Sequence, residues 1–366
     1  MHASPATPPV SRMARIARAR QLAMQDGTPL AGGLVEPWIA QSWQRCLTQG
    51  LRPQQSVHFE AVSANVMRQA AEANRTLVQA ARPILKQLGH ALAETRYFAI
   101  LTNHEGVVID TDGPIDRSDS RAAVITRVGV DLSEKSVGTT AIGAALRELQ
   151  PVWLHRGEHF FNDTAVYSCA GAPLFGPDGR CVGMLDLTGV EAAERPELRH
   201  LATHAARRIE NALLLQRAHR LLLRLNWPGL PLGDDADGLI TLDADGLVCA
   251  ANRAARQLLP MLNTQGMELH GRDLFAMPWE TLFDQARRGE VIEIPLWSGL
   301  RLQAHPLLAG GKPGSPRSSG PTLPLRDVET GLIRKAVEDA RGNVAQAARN
   351  LGISRATVYR KLGQRG

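Results

Sequence analysis

Residues 342–366 read GNVAQAARNLGISRATVYRKLGQRG, with four arginines, one lysine and no acidic side chain. From Val344 the apolar residues recur at Ala347, Ala348 and Leu351, one face of a short helix. Gly352 then interrupts the pattern with the residue most tolerant of a left-handed backbone. Ser354 follows as an N-cap placed to accept from the amide of Ala356 or Thr357, and Val358 and Leu362 carry an apolar seam onward. With that seam turned inward and Ile353 at the hinge, the second helix presents Ser354, Arg355, Thr357, Tyr359, Arg360 and Lys361 at its N-terminal end and outer side. Those side chains suit phosphates and base edges.

Upstream, LRDVETGLIRKAVEDAR (325–341) places Val328, Leu332, Ala336 and Ala340 at steps of four, with Ile333 and Val337 widening the stripe. The predicted unit, 325–366, is a helix-turn-helix with a supporting helix. A solvated amphipathic hairpin would also explain the basic face, but not the mutually consistent offsets of glycine, cap and cations. The run GN..QAAR.LGISR.T.YRKL closely resembles the Fis-type DNA-binding domain of the nucleoid protein Fis and of bacterial enhancer-binding proteins. That resemblance implies a recognition helix beginning at Ser354 and DNA contacts from Arg355, Thr357, Arg360 and Lys361.

The charge has the same polarity. The chain of 366 residues carries a formal +6, and residues 312–366 hold eleven Lys or Arg against four Asp or Glu, so the remainder is close to neutral. A positive field confined to one end fits a localised nucleic-acid footprint, with double-stranded DNA as partner. A content of 44% hydrophobic and 21% charged residues is ordinary for two or three globular domains. Cys46, Cys169, Cys181 and Cys249 show no CxxC or zinc-finger spacing and read as reduced structural thiols. No apolar run approaches membrane-spanning length, and residues 1–33 read as a leader, flexible, frayed or partly helical, without a secretory signal. The expected location is the cytoplasm, on the nucleoid, with no membrane partner.

Along the chain, LVEPWIAQSWQRCLTQG (34–50) and residues 61–89 read as amphipathic helices. YFAILTNHEGVVIDT (97–111) and AGAPLFGPDGRCVGMLDLTG (170–189) read as hairpins turning at His104-Glu105-Gly106 and Pro177-Asp178-Gly179. Between them SVGTTAIGAALRELQPVWLHRGEHFFND (136–163) is a glycine-punctuated segment opening a short helix. Residues 196–225 carry a leucine-dense helical pattern, with Leu198, Leu201, Ala205, Ile209, Ala212 and Leu215 as a stripe and Leu221–Leu225 extending it. That helix is a candidate homodimer seam, or equally a helix packed on its own sheet. The expected class is α+β.

Residues 34–215 resemble the N-terminal sensory region of the acetoin-catabolism regulator family, a GAF domain preceded by an SW.RC...G..P helix. The matching residues are Ser42, Trp43, Arg45, Cys46, Gly50 and Pro53, then VGTTAIG (137–143), GEHF (157–160) and C.GAPLFGPDGR..GMLDLTG (169–189). Thr140 stands where that family usually has asparagine. The resemblance implies a small-molecule effector in the GAF domain and leaves the ligand-binding residues unassigned.

ADGLITLDADGLVCAANRAARQLL (236–259) has two short strands around Asp245-Gly246 and a helix capped by Asn252, and EVIEIPLWSGLRLQAHPLL (290–308) supplies closing strands. Together they read as a shortened PAS-like domain. AGGKPGSPRSSGPTLP (309–324) is a tether without apolar periodicity. The predicted organisation is therefore a leader (1–33), helices with a GAF-type sensor and exit helix (34–225), a PAS-like domain (236–308), a linker (309–324) and a Fis-type helix-turn-helix (325–366). No GxxxxGK[ST] run occurs, although enhancer-binding proteins with this sensor and terminus carry an ATPase between them.

His155 and His159 stand four apart, which on a helix would suit zinc, but VWLHRGEHFF (152–161) reads as a strand end and loop, so no metal is expected. Cys169 is either a redox thiol or a buried structural cysteine. No nucleophile–base pair or paired carboxylate emerges, so neither catalytic residues nor a cofactor are expected. The function expected is a ligand-responsive, sequence-specific transcriptional regulator of a catabolic pathway, acting without a motor through RNA polymerase or a full-length relative. The alternatives are a nucleoid-type DNA-bending protein and a GAF-type redox enzyme.

Overall fold

The computed structural model describes residues 11–25, 33–59, 62–264 and 268–309, and toward the C-terminus 337, 340, 343–350, 355 and 358. Helices run over Arg12–Arg20 (α1), Pro37–Thr48 (α2), Ala64–Ala73 (α3), Arg75–Ala91 (α4), Ser120–Ile125 (α5), Glu134–Val137 (α6), Ala141–Glu148 (α7), Leu198–Leu215 (α8), Arg253–Leu258 (α9), Gly271–Leu274 (α10), Glu280–Arg288 (α11) and Val344–Asn350 (α12). Strands are Tyr97–Asn103 (β1), Val108–Asp112 (β2), Val152–His155 (β3), Tyr167–Phe175 (β4), Cys181–Val190 (β5), Leu221–Asn226 (β6), Gly238–Leu242 (β7), Val248–Ala251 (β8), Ile292–Pro295 (β9) and Arg301–Leu308 (β10).

The first sheet has the order β2-β1-β5-β4-β3, antiparallel throughout. Its strands are buried on both faces, and the period of two sorts their side chains. Tyr97, Ala99, Leu101, Ala170, Ala172, Leu174, Leu185 and Leu187 face α4 and α8. Phe98, Ile100, Tyr167, Cys169 and Met184 face the opposite way, toward α5, α7 and the segment between them. The close approach of that segment needs Gly138: its φ is +66°, and a Cβ there would stand 2.9 Å from the Phe161 ring.

The stripe on α8 faces its own sheet except at its end, where Leu215 is exposed. Leu198, Ala205 and Ile209 are buried in the core beneath β4 and β5, and Leu201 and Ala212 pack against that core. The leucine run after it is not helical: α8 ends at Leu215, and Leu221–Asn226 is the central strand of a second sheet, ordered β8-β7-β6-β10-β9. A run of five residues with four leucines carries no period, so tertiary pairing decides it. Leu221, Leu223 and Leu225 enter a core with Ile240, Leu242, Ile294 and Leu302 under α9 and α11, whereas Leu222 packs on Leu214 and Leu239 across the sheet. The reading of 236–308 as short follows from the same error, because the missing strand precedes it. The boundary between the modules lies at 216–220 rather than after 225.

Over its described part the leader is helical and packed rather than flexible. Ser11 caps α1, and Ile16 and Ala19 are fully buried. At the other end, Asn343 accepts from the amide of Gln346 at the start of α12, and Ala348 and Val358 form a small buried cluster with Val337 and Val344. Those four are the inward positions expected of the supporting helix and the two that follow.

The placement of β6 has a direct test. Leu223→Ala should destabilise the chain by about 2–5 kcal/mol in urea unfolding, as for a large-to-small core change, without altering its mass in solution. A change of mass at unchanged stability would restore the helical, interface reading.

Candidate functional site

On the α7 side of the first sheet the side chains line a cavity of about 30 Å³. Ile100, Ile125, Leu132, Val137 and Ile142 form apolar walls, and His159, Thr164, Cys169, Asp186 and Thr188 bring polar groups to it. Alternation along β5 puts Asp186 and Thr188 on this face, directly across from Gly171 and Cys169 of β4. Thr188 donates to one oxygen of Asp186, whose Oδ1 is buried without a partner. Burial pushes the Asp186 carboxyl up to about 7. Sequence reasoning passed over both residues, yet a carboxylate in the otherwise apolar MLDLTG run was itself the signal.

Cys169 is the buried structural thiol: its Sγ lies 3.5 Å from Thr188 Oγ1, and burial raises its pKa well above that of a free thiol, away from the reactive thiolate. His155 and His159 do not form a metal pair. His155 Nδ1 meets Ser168 Oγ at 2.9 Å, and His159 Nδ1 meets the Arg156 carbonyl at 3.0 Å. Among the described residues no group of three His, Cys, Asp or Glu is arranged to hold a metal. His159 Nε2 lacks a partner, and burial pulls its pKa down to about 4, so the ring is neutral near pH 7.

The motif residues Ser42, Trp43, Arg45 and Pro53 hold the cavity walls from outside, and Thr140 lines the cavity itself. Arg45 donates from Nε and Nη2 to the two carboxylate oxygens of Glu134 of α6, each at 2.7 Å, and Ser42 donates to the same carboxylate at 2.6 Å. Trp43 Nε1 donates to the Glu158 carbonyl at 2.9 Å, and Asn162 N donates to the Pro53 carbonyl at 2.8 Å. Thr140 caps α7 by accepting from Gly143 N at 3.1 Å. From the N-terminus, Arg12 pairs with buried Glu158 at 2.8 Å, and Arg20 donates to the carbonyls of Gly157, His159 and Phe160. Thus α1 and α2 fix the loop that carries His159.

At its other end the β4–β5 hairpin meets the second domain. Pro177 O accepts from Ala251 N at 3.2 Å and from Arg256 at 2.9 Å, while the Arg253 guanidinium lies 5.0 Å from the centre of the Phe175 ring. Glu210 of α8 accepts from Phe175 N at 2.9 Å, and burial raises its carboxyl to about 7. Asn211 accepts from Asn252 at 2.9 Å. Of the residues expected to touch DNA, Arg355 is exposed, and Ser354, Thr357, Tyr359, Arg360 and Lys361 lie outside the described residues.

Residues 13–211, more than half of the chain, match the family described as MimR, N-terminal domain. The chain belongs to this family. Residues 324–364 match the family described as Bacterial regulatory protein, Fis family. The MimR N-terminal domain so delimited begins within α1 and ends within α8, so the Arg20 contacts and the cavity fall inside one unit, with Arg12 just outside it. Similar curated proteins include a signal-transduction and transcriptional-control protein of Clostridium beijerinckii, 27% identical over 70% of this chain and 40% of that one. The acetoin catabolism regulatory protein of Cupriavidus necator is 29% identical over 67% of this chain and 37% of its own. MimR of Mycolicibacterium goodii, named as the propane 2-monooxygenase operon transcriptional activator, is 30% identical over 54% and 33%. This chain therefore spans two fifths or less of the length of these relatives. Among solved structures, the E. coli DhaR(N)–DhaL complex overlays at 15% identity and a TM-score of 0.46, covering 74% of this chain and 99% of that one.

The buried Asp186 makes the stability of the MimR N-terminal domain pH-dependent. Its folded pKa of about 7 exceeds the ordinary unfolded value near 3.9, so the unfolded chain ionises first as pH rises. Stability is lost progressively from about pH 4 to 7, and the loss is complete above that window. Asp186→Asn should therefore gain in melting temperature relative to the native chain between pH 5 and pH 8. Parallel pH profiles for the two would contradict the burial assigned to this carboxyl.

Proposed function

We propose that the chain is a ligand-responsive transcriptional regulator of a catabolic operon, in which a GAF-type sensor and a PAS-like module control a Fis-type DNA-binding end. The observation that carries this reading is a cavity lined by unpaired polar atoms inside a MimR N-terminal domain, on the same chain as a Fis-family segment. The relatives named for acetoin catabolism and for propane 2-monooxygenase support a small catabolite as the signal. The strand order of the first sheet, with helices on one face and the glycine-punctuated segment on the other, supports the GAF-type assignment. The β7–β8 hairpin, the Asn252 cap and the closing strands support the PAS-like one.

Between 216 and 309 the chain folds into the second sheet, and no Walker-type phosphate loop occurs in its sequence. Regulation then works by recruitment of RNA polymerase, by occlusion, or through a full-length relative. Two copies reading half-sites one helical turn apart would gain specificity from symmetry, and with the α8 stripe buried in its own core the pairing surface lies elsewhere. The redox-enzyme alternative loses its nucleophile with the buried, protonated Cys169.

Footprinting with the purified chain on its own upstream region tests the reading: discrete protected sites are expected, and uniform coverage would favour a nucleoid-type protein instead. Within such a site, Arg355→Ala should cost ~1–3 kcal/mol of discrimination between operator and random DNA, whereas Lys361→Ala should weaken both alike. Equal losses for Arg355→Ala on both DNAs would remove that residue from base recognition.

A further inference from the structure

We infer that the cleft between α8 and α9 is a second ligand site, which takes a small organic carboxylate between Arg207 and Arg253. The cleft measures about 220 Å³ and shares no lining residue with the cavity beside α7. Its walls come from both modules: Ala206, Arg207 and Glu210 belong to α8, and Arg253 and Gln257 to α9. Asp235, which also lines it, is paired with Arg208 at 3.5 Å. Neither Arg207 nor Arg253 has an ion pair or a side-chain hydrogen bond among the described residues. The Arg253 guanidinium lies 5.0 Å from the centre of the Phe175 ring, a contact that leaves its N–H groups without an acceptor. Two uncompensated guanidiniums, one from each module, thus border one cleft.

Glu210 does not neutralise them. Its side chain is buried, its Oε1 accepts from Phe175 N at 2.9 Å, and it forms no ion pair with either arginine, although both act on it electrostatically. Burial raises its carboxyl to about 7, so near neutral pH the protonated form is well populated and adds an O–H donor to the cleft. Donors then face the occupant from Arg207, Arg253 and Glu210, and a carboxylate, which only accepts, satisfies them. An uncharged amide leaves the cations uncompensated. Pro151, Ala172, Pro173 and Ala206 complete the wall with apolar surface, which matches a short hydrocarbon tail and offers the further oxygens of a phosphate no donor. The occupant touches α8 and α9 together and so adds to the bridge that Asn252 makes between them.

The test uses the intact chain with butyrate, butyramide and inorganic phosphate as probes, in calorimetric titrations at pH 6 and pH 8. At pH 6 the Kd for butyrate should lie at least about tenfold below those for the other two. The ionised form of Glu210 sets a negative charge beside the ligand, so binding is linked to its protonation and the butyrate Kd should rise about tenfold from pH 6 to pH 8. The groups facing Glu210 are Arg207 on its own helix, Arg253 on α9, Asp235 before β7 and the Cys181 thiol of β5, and His204 borders the adjoining groove with Arg207. Glu210→Gln keeps an acceptor for Phe175 N and removes the ionisation, so its Kd should be the same at both pH values. A pH dependence that survives in this variant would overturn the part given to Glu210. Arg207 is exposed, so Arg207→Met leaves the core intact, and it should weaken butyrate at least about tenfold. Equal Kd values for butyrate and butyramide, phosphate bound as tightly as butyrate, an unchanged Kd in Arg207→Met, or no binding of any probe would overturn the site.

Discussion

The side chain of Asn252 ties α8 to β7 and α9 through four hydrogen bonds. Its oxygen accepts from Ala255 N, capping α9, and from Leu239 N in β7, while its amide donates to the Asp237 carbonyl and to Asn211 on α8. Each of these bonds is 2.8–2.9 Å, and the residue is buried. A buried amide with its donors and acceptor satisfied specifies one arrangement of its neighbours, because breaking any contact leaves an unpaired polar group. Here the neighbours are β7 and α9 of the second module and α8, the helix that packs on the first sheet.

From that constraint the architecture connects end to end. The β4–β5 hairpin contributes Cys169, Asp186 and Thr188 to the cavity, and its Phe175–Pro177 end is seated against Ala251, Arg253 and Arg256. Helix α8 runs under the same strands and, five residues after its end, becomes the central strand of the second sheet. No free linker separates the two modules, so the cavity wall and β6 lie on one continuous packed path. The step from residue 309 onward to the DNA-binding end is of a different kind, since the sequence there is a Gly/Pro/Ser tether.

Much of this was legible in the residues. The hairpins at 97–112 and 167–190 announced themselves by turn residues between apolar runs, and the Asn252 cap by its place before a helical pattern. The motif around Ser42, Trp43 and Arg45 was visible, but its purpose was not, because Glu134 and the Glu158 carbonyl lie about ninety or more residues away in sequence. The leucines at 221–225 misled because a uniformly apolar run fits a helix and a buried strand equally well. Ile16 and Ala19 escaped notice because an arginine-rich segment is buried only through the carbonyls and Glu158 that receive its cations. At the DNA-binding end, the pattern of Val337, Val344, Ala348 and Val358 carried the packing before any coordinates did.

The central claim is that the cavity-bearing sheet and the second sheet form one cooperative unit held at Asn252. Native-state hydrogen exchange in rising urea tests it directly, by comparing the amides of Leu185 and Leu187 in β5 with those of Leu223 and Leu225 in β6. The account requires all four to open with the same free energy in the native chain, and the two pairs to separate in Asn252→Ala. Opening of the β6 amides at lower urea in the native chain, with β5 still protected, would contradict it.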